Sequence, residues 1–378
     1  MERVFVVSLS FAGFGGEQVA ADIAAALSRQ AEVTVVQLGD GELPYELVDL
    51  GCRAVRLGRP GRGPRSAVRL SRDLAALLDR GRPDVVIAIM TFANLVTLLA
   101  RKLSCHRPPV VVSEHSITSL SMRAESHSWL MRNACRVLYP SATAVVCVSR
   151  ASSTDLERFL RPARYNGKVI LDPCQPLAPD NGDDCEAGET GDDGTVRRIA
   201  CVASLKHAKN HDLLLRAVAL LPPDIVLDLA GSGPLRSELE ELAVELGIDG
   251  RVVFHGYLAD PWQVVRGASL SVLSSRWEGF GLAAVESAVR RVPVVVTPEG
   301  ALPEVVPLFA PGVVASASTP AALADAIRKA LEAPVRESEW VRAAAQRTRL
   351  LSPVVVAQEY LSLFTHDVRR TASPRARV

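Results

Sequence analysis

Short apolar runs alternate along this chain with longer stretches in which apolar residues return every three or four positions. Val4–Ser8, Val33–Leu38, Asp84–Met90, Val110–Ser113 and Ala144–Val148 have the first pattern. Gln18–Arg29 has the second and follows a Gly-rich turn, Phe11–Glu17. Asp84–Met90, after Arg82-Pro83, reads as a strand buried on both faces. Such alternation implies βαβ units and a parallel sheet. The pattern then breaks. Pro173 to Thr195 carries seven acidic residues, no basic ones and several Gly and Pro, and predicts a solvated linker. Beyond it the alternation restarts: Arg198–Ala203, a helix over 210–221, Ile225–Ala230, a helix over 234–246, Val252–His255, Ser269–Leu273, a helix over Leu282–Arg290, and Val292–Thr297. Ser352–Phe364 is a last amphipathic helix, with Pro353 suited to its first turn. The expected organisation is a first domain over 1–173, an acidic linker over 174–195, a second domain over 196–352, a helix over 353–366 and a disordered basic tail over 367–378.

Composition narrows this picture. At 378 residues the chain suits two cores rather than one. Apolar residues at 48% and charged residues at 22% describe a globular, soluble protein. A formal net charge of +1 gives no general attraction to nucleic acid. No apolar run reaches the roughly eighteen residues of a spanning helix. The N-terminus enters a strand at once and lacks the apolar region and cleavage site of a signal peptide. Seven scattered cysteines with no C-x-x-C pair fit reduced thiols in the cytosol. No Asp-x-Asp at a strand end and no cluster of His and Cys suggests a metal.

The chemistry concentrates in one stretch, Ser274 to Glu286. It lies between an apolar strand and an Ala- and Val-rich helix, so Glu278, Gly279 and Gly281 fall at a strand-to-helix turn. Ligands of open α/β sheets bind outside the carboxyl ends of strands, and a helix N-terminus offers unpaired N–H groups to an anion.

Glu278-Gly279-Phe280-Gly281-Leu282 followed by Glu286 resembles the E-x7-E signature of the retaining glycosyltransferases of the GT-B fold, family 4. Gly15-Gly16-Glu17, Arg82–Val86, Ala144–Ser149, Leu205–Asn210, Gly231–Arg236 and Val253–Tyr257 fall in the family's order, so the resemblance covers nearly the whole chain. It implies two doubly wound Rossmann-like α/β domains facing across a cleft, with the last helix crossing back to the first. It implies metal-independent transfer of a hexose-type sugar from a nucleotide diphosphate, UDP- or GDP-linked, to an acceptor hydroxyl, with no cofactor. Lys209 would sit on the phosphates, and the amides of Gly279, Phe280, Gly281 and Leu282 would cap the distal one. Glu278 would grip sugar hydroxyls and Glu286 the ribose. Gly231 and Gly233 would line the nucleotide pocket, with Tyr257 against the base. From the first domain Gly15 and Gly16 would bring amides to the phosphates. His115 would contact the sugar near the reacting carbon, and Glu114 the acceptor. One departure stands out: Ser204 occupies the place of the family's usual Arg, with Lys206 two residues on.

Arg56, Arg59, Arg62, Arg65, Arg69 and Arg72 crowd one stretch, the last three on one helix face. They read either as a solvated face or as a dock for a phosphorylated acceptor or an anionic membrane surface, which would place a cytoplasmic enzyme at the inner face of the membrane. Two other functions fit the same residues: a nucleotide-sugar epimerase on this frame, or a degenerate transferase acting as a non-catalytic partner. Gly13, Gly15 and Gly16 fail the spacing of a Rossmann dehydrogenase.

Overall fold

The computed structural model describes residues 2–11, 15–42, 45–58, 63–123, 128–175 and 196–371, with 128 and 365–371 as backbone only. Most of the expected acidic linker and of the expected tail, and Arg59 and Arg62 of the arginine row, lie outside the described residues. The chain divides into two compact units, Met1–Gln175 with Leu350–Val378, and Pro176–Arg349.

Among the described residues the first unit holds seven parallel strands: β1 (Arg3–Ser8), β2 (Glu32–Gln37), β3 (Arg53–Arg56), β4 (Val85–Ile89), β5 (Val110–Glu114), β6 (Ala144–Cys147) and β7 (Gly167–Val169). Their order is β3-β2-β1-β4-β5-β6-β7. The second unit holds six: β8 (Arg197–Val202), β9 (Ile225–Ala230), β10 (Val252–Gly256), β11 (Leu270–Leu273), β12 (Val294–Val296) and β13 (Gly312–Val314), ordered β10-β9-β8-β11-β12-β13. Each sheet is doubly wound. Strand order reverses between β1 and β4, where Val4 faces Val85, and between β8 and β11, where Ile199 faces Leu270. A crevice opens at the carboxyl ends of such a pair.

The central strands are legible because both faces are buried: every residue of β4, β5, β6, β11 and β12 is interior. β3, β7 and β13 are edge strands, and the apolar pattern does not mark them. No residue of β3 or β13 is fully buried, and β7 is exposed throughout. Pairing with a neighbour, not hydrophobic burial, makes these strands. The last helix runs from Pro353 to Thr371, past the end expected from its apolar pattern, and packs on the helix Gly16–Ser28.

Two buried polar clusters brace the sheets. Asp228 on β9 accepts from Arg198 Nε at 2.8 Å and Nη2 at 2.7 Å, and His255 Nε2 stands 2.7 Å from its Oδ1. Glu114 ends β5 only 1% exposed. It accepts from Thr91 Oγ1 at 2.7 Å, from Asn94 Nδ2 at 3.1 Å and from the Tyr139 hydroxyl. Burial still raises its carboxyl above the ordinary value, against these donors.

His211 opens the helix His211–Ala219 behind the β8 loop, 1% exposed. Burial, helped by the nearby Lys209 charge, lowers its pKa to about 4. The unfolded chain therefore binds a proton between about pH 6.5 and 4 that the folded protein refuses. Stability should fall as pH drops through that window, by up to about 3 kcal/mol from this group. Urea unfolding between pH 4 and 7 should show a shallower decline in His211→Gln than in the unaltered protein. Parallel curves would mean that His211 is not the group responsible.

Candidate active site

Two loops meet at the reversal point of the second sheet. The loop after β8 carries Lys209 on a short 3-10 turn, His207–Lys209, and Asn210 follows in a left-handed conformation with φ 53°. Asn tolerates that region better than most residues. The loop after β11 carries Glu278. Lys209 Nζ donates to Glu278 Oε1 at 2.5 Å, and Ser275 Oγ donates to the same oxygen at 3.3 Å. Both charges are partly shielded, at 27% and 14% side-chain exposure. The loops are also clipped through their backbones. Ser274 Oγ donates to Lys209 O at 2.9 Å, and Arg276 N–H to Ala208 O at 2.8 Å. Sequence reasoning placed Lys209 and Glu278 in one site but did not see that they bind each other.

The helix Leu282–Val289 begins directly behind this pair. Its N-cap, Gly281, has φ 95° and no side chain to bond the first N–H groups. These groups and the helix dipole make an anion seat beside a lysine. Glu286 stands in the second turn, half-buried. Phe280 contributes only backbone here: its ring is 2% exposed and lies 6.2 Å from that of Phe309, centroid to centroid. Tyr257 presents a ring 69% exposed.

Gly231 and Gly233 also have a packing reason to be glycine. A Cβ on Gly231 would stand 2.0 Å from Ala203 O, and one on Gly233 would stand 2.3 Å from Leu205 O. They let the loop after β9 lie against the loop after β8. Leu205 N–H donates to Ser232 O at 3.0 Å across that contact. Through that contact they support the Lys209 loop. Ser204, half-buried, accepts from the Lys206 amide at 2.8 Å. The Lys206 side chain is exposed, and nothing in the structure carries it to the place of the missing arginine.

A second constellation lies at the carboxyl edge of the first sheet. Gly15 caps the helix Gly16–Ser28 with φ 73°. A Cβ on Gly16 would stand 2.5 Å from Met90 Sδ and 3.6 Å from His115 Cβ, so these three residues form one corner. The His115 side chain is 3% exposed, with Nδ1 2.8 Å from Asp172 Oδ1. That approach has the distance of a hydrogen bond but not its angle. Nε2 lies 2.8 Å from Ser113 Oγ, which lies 2.7 Å from the Tyr360 hydroxyl. Both ring nitrogens thus face protein. Glu114 is held by its three donors inside the sheet, so the expected acceptor contact is corrected: it is a structural acid. Ser113, Asp172 and Tyr360 were missed because they are 247 residues apart at the extreme, and no local pattern joins them.

Among the described residues no three His, Cys, Asp or Glu side chains come together as a metal set, and no helix is long and apolar enough to cross a membrane. Residues 14–170 match the model of the glycosyl transferase 4-like domain, and residues 186–347 that of the glycosyl transferases group 1. One curated relative is a Campylobacter jejuni N-acetylgalactosaminyltransferase named for a diphospho-undecaprenol substrate, 24% identical over 79% of this chain and 81% of its own. Another is the lipopolysaccharide core mannosyltransferase LpsB of Rhizobium meliloti, 36% identical over 31% of this chain and 35% of its own. A third is a GDP-mannose-dependent phosphatidylinositol dimannoside mannosyltransferase of Mycobacterium tuberculosis, 32% identical over 40% and 42%. Among solved structures, Anabaena HepE with UDP-glucose superposes with a TM-score of 0.78 at 21% identity, covering 97% of this chain and all of that one. Sucrose-phosphate synthase of Thermosynechococcus elongatus does so with 0.81 at 17%, covering 98% and all. Two doubly wound units of this topology, each matched by its own half of one family's sequence pattern, show that the chain belongs to the glycosyl transferases of group 1, GT-B enzymes that move sugars.

Proposed function

We propose that the protein transfers a hexose-type sugar from a UDP- or GDP-linked donor to an acceptor hydroxyl, with retention at the anomeric carbon and without a metal. The observation that carries this reading is the Lys209–Glu278 pair in front of an uncapped helix start. The donor diphosphate draws Lys209 away from Glu278. The freed carboxylate then accepts from sugar hydroxyls, and Glu286 accepts from the ribose. The N–H groups at the start of the helix Leu282–Val289 meet the distal phosphate as charge builds on it. The bond from the anomeric carbon to the phosphate oxygen breaks while the bond to the acceptor oxygen forms on the same face. The acceptor proton passes to the departing phosphate, so no protein nucleophile is required. Three relatives are named for lipid-linked or lipopolysaccharide acceptors, and we take the acceptor here to be a lipid-anchored glycan at a membrane surface.

UDP-, GDP-, ADP- and dTDP-sugars screened by thermal shift and nucleotide release test the reading. One donor should stabilise the protein and be slowly hydrolysed. Release of an altered free nucleotide sugar would favour an epimerase. Stabilisation by none would leave a non-catalytic partner, the reading that Ser204 favours.

Glu286→Ala should raise the donor KM by about 10- to 100-fold, the loss of a hydrogen bond between charged and neutral groups. Glu278→Gln separates ground-state pairing from catalysis. It frees Lys209, so the nucleoside diphosphate product should bind about fivefold tighter, as loss of a partly exposed competing ion pair allows. Turnover should fall about 100-fold through the lost sugar grip. If titration calorimetry finds product binding weakened instead, Lys209 and Glu278 do not compete as described.

A further inference from the structure

The second unit holds a cavity of about 340 Å³ lined by the start of the helix His211–Ala219 and by one face of the helix Arg236–Glu245. That volume is in the range that takes a small molecule. His207, on the turn that carries Lys209, and Arg276 join the lining.

Two buried polar atoms of lining residues have no protein partner. Asn210 is 7% exposed and His211 1%, and both line the cavity. Neither Asn210 Oδ1 nor His211 Nδ1 has a hydrogen bond. Asn210 is the N-cap of its helix, where a side-chain oxygen ordinarily accepts from the first turn. Its left-handed backbone, at φ 53° and ψ 43°, goes with the loss of that bond. A buried carbonyl oxygen left in this way costs free energy until a donor reaches it.

The helix Arg236–Glu245 supplies charge. Its Glu238, Glu241 and Glu245 line the cavity. Spacings of three and four residues put them on one face, about 4.5 and 6 Å apart along the axis, where like charges repel. The nearby arginines are engaged with other carboxylates, Arg236 with Glu240 at 2.8 Å and Arg276 with Asp212 at 3.2 Å. Leu235, Leu239 and Leu242 of the same helix add apolar lining. The carboxylates are spread along the helix, and among the described residues no metal set forms. A row of carboxylates beside leucines, with a buried acceptor in need of a donor, is complementary to an extended cation. Ammonium groups meet the glutamates and donate to Asn210, and methylenes cover the leucines.

We propose that this cavity is a binding site for a linear aliphatic polyamine. The proposal rests on this lining alone and not on the transferase reading.

Spermidine, whose three ammonium groups are joined by three and four methylenes, is the probe, titrated calorimetrically into the whole chain at low ionic strength. It should bind at one site per chain. 1,4-Diaminobutane should bind more weakly. Its fully N-methylated form, equal in charge but without N–H donors, should bind at least about tenfold more weakly again. Replacing Glu238, Glu241 and Glu245 together by Gln should lower spermidine affinity at least about tenfold, since each exposed ion pair is worth up to about fivefold. That change removes repulsion from the helix, so the variant should fold. Leu242→Lys, which plants an ammonium in the cavity, should block spermidine to a similar degree. Absence of spermidine binding would overturn the proposal. So would binding that stays within about twofold in both folded variants, which would belong to the acidic run Asp180–Asp193. Equal affinity for the N-methylated diamine, or displacement of 1,4-diaminobutane by Mg²⁺ at equal concentration, would reduce the cavity to general attraction between charges and sink the polyamine site.

Discussion

The Lys209–Glu278 site depends on backbone lying against backbone. The loop after β12 passes Glu278 so closely that a Cβ on Gly300, at φ 59°, would stand 2.3 Å from Glu278 O. Ala301 N–H donates to that same oxygen at 3.0 Å. The loop after β9 rests on the loop after β8 in the same way through Gly231 and Gly233. Lys209 and Glu278 are therefore held by contacts with almost no rotamer freedom, and the ion pair between them is a consequence of where the loops must lie. Such a support cannot yield much without moving several loops together, which is how a charged site avoids relaxing around its own charges before substrate arrives.

That arrangement also explains the limits of reading the chain alone. Strand and helix alternation was visible because the central strands are buried on both faces, and the ends agree to within a residue or two except at the last helix, which runs on to Thr371. The glycines and Glu278, Glu286 and Lys209 were visible because they sit in short local motifs. What was hidden is of two kinds. β3, β7 and β13 are edge strands of three or four residues, too short and too exposed to show a buried strand's pattern, and their partners define them. The reasons behind site residues were hidden as well. Nothing local shows that Gly231 and Gly233 pack against another loop; only the positions of Ala203 O and Leu205 O reveal it. Glu114, next to His115, was expected to contact the acceptor. Its side chain instead turns to Asn94, Thr91 and Tyr139, because a carboxylate at the end of an interior strand must find donors or lose its charge.

The two sheets treat their ionisable groups in opposite ways. In the first, Glu114 and Tyr139 are sealed, and burial raises both above their ordinary values. The His115 ring is locked between Asp172 and Ser113, with Tyr360 of the last helix behind it. These groups fix a shape. In the second, Lys209 and Glu278 remain partly exposed and pair only with each other and with Ser275. A pair of that kind contributes little to stability and is inexpensive to separate. The charge pairing at the second sheet's site thus stays partly open to solvent, while the first sheet completes its own internally.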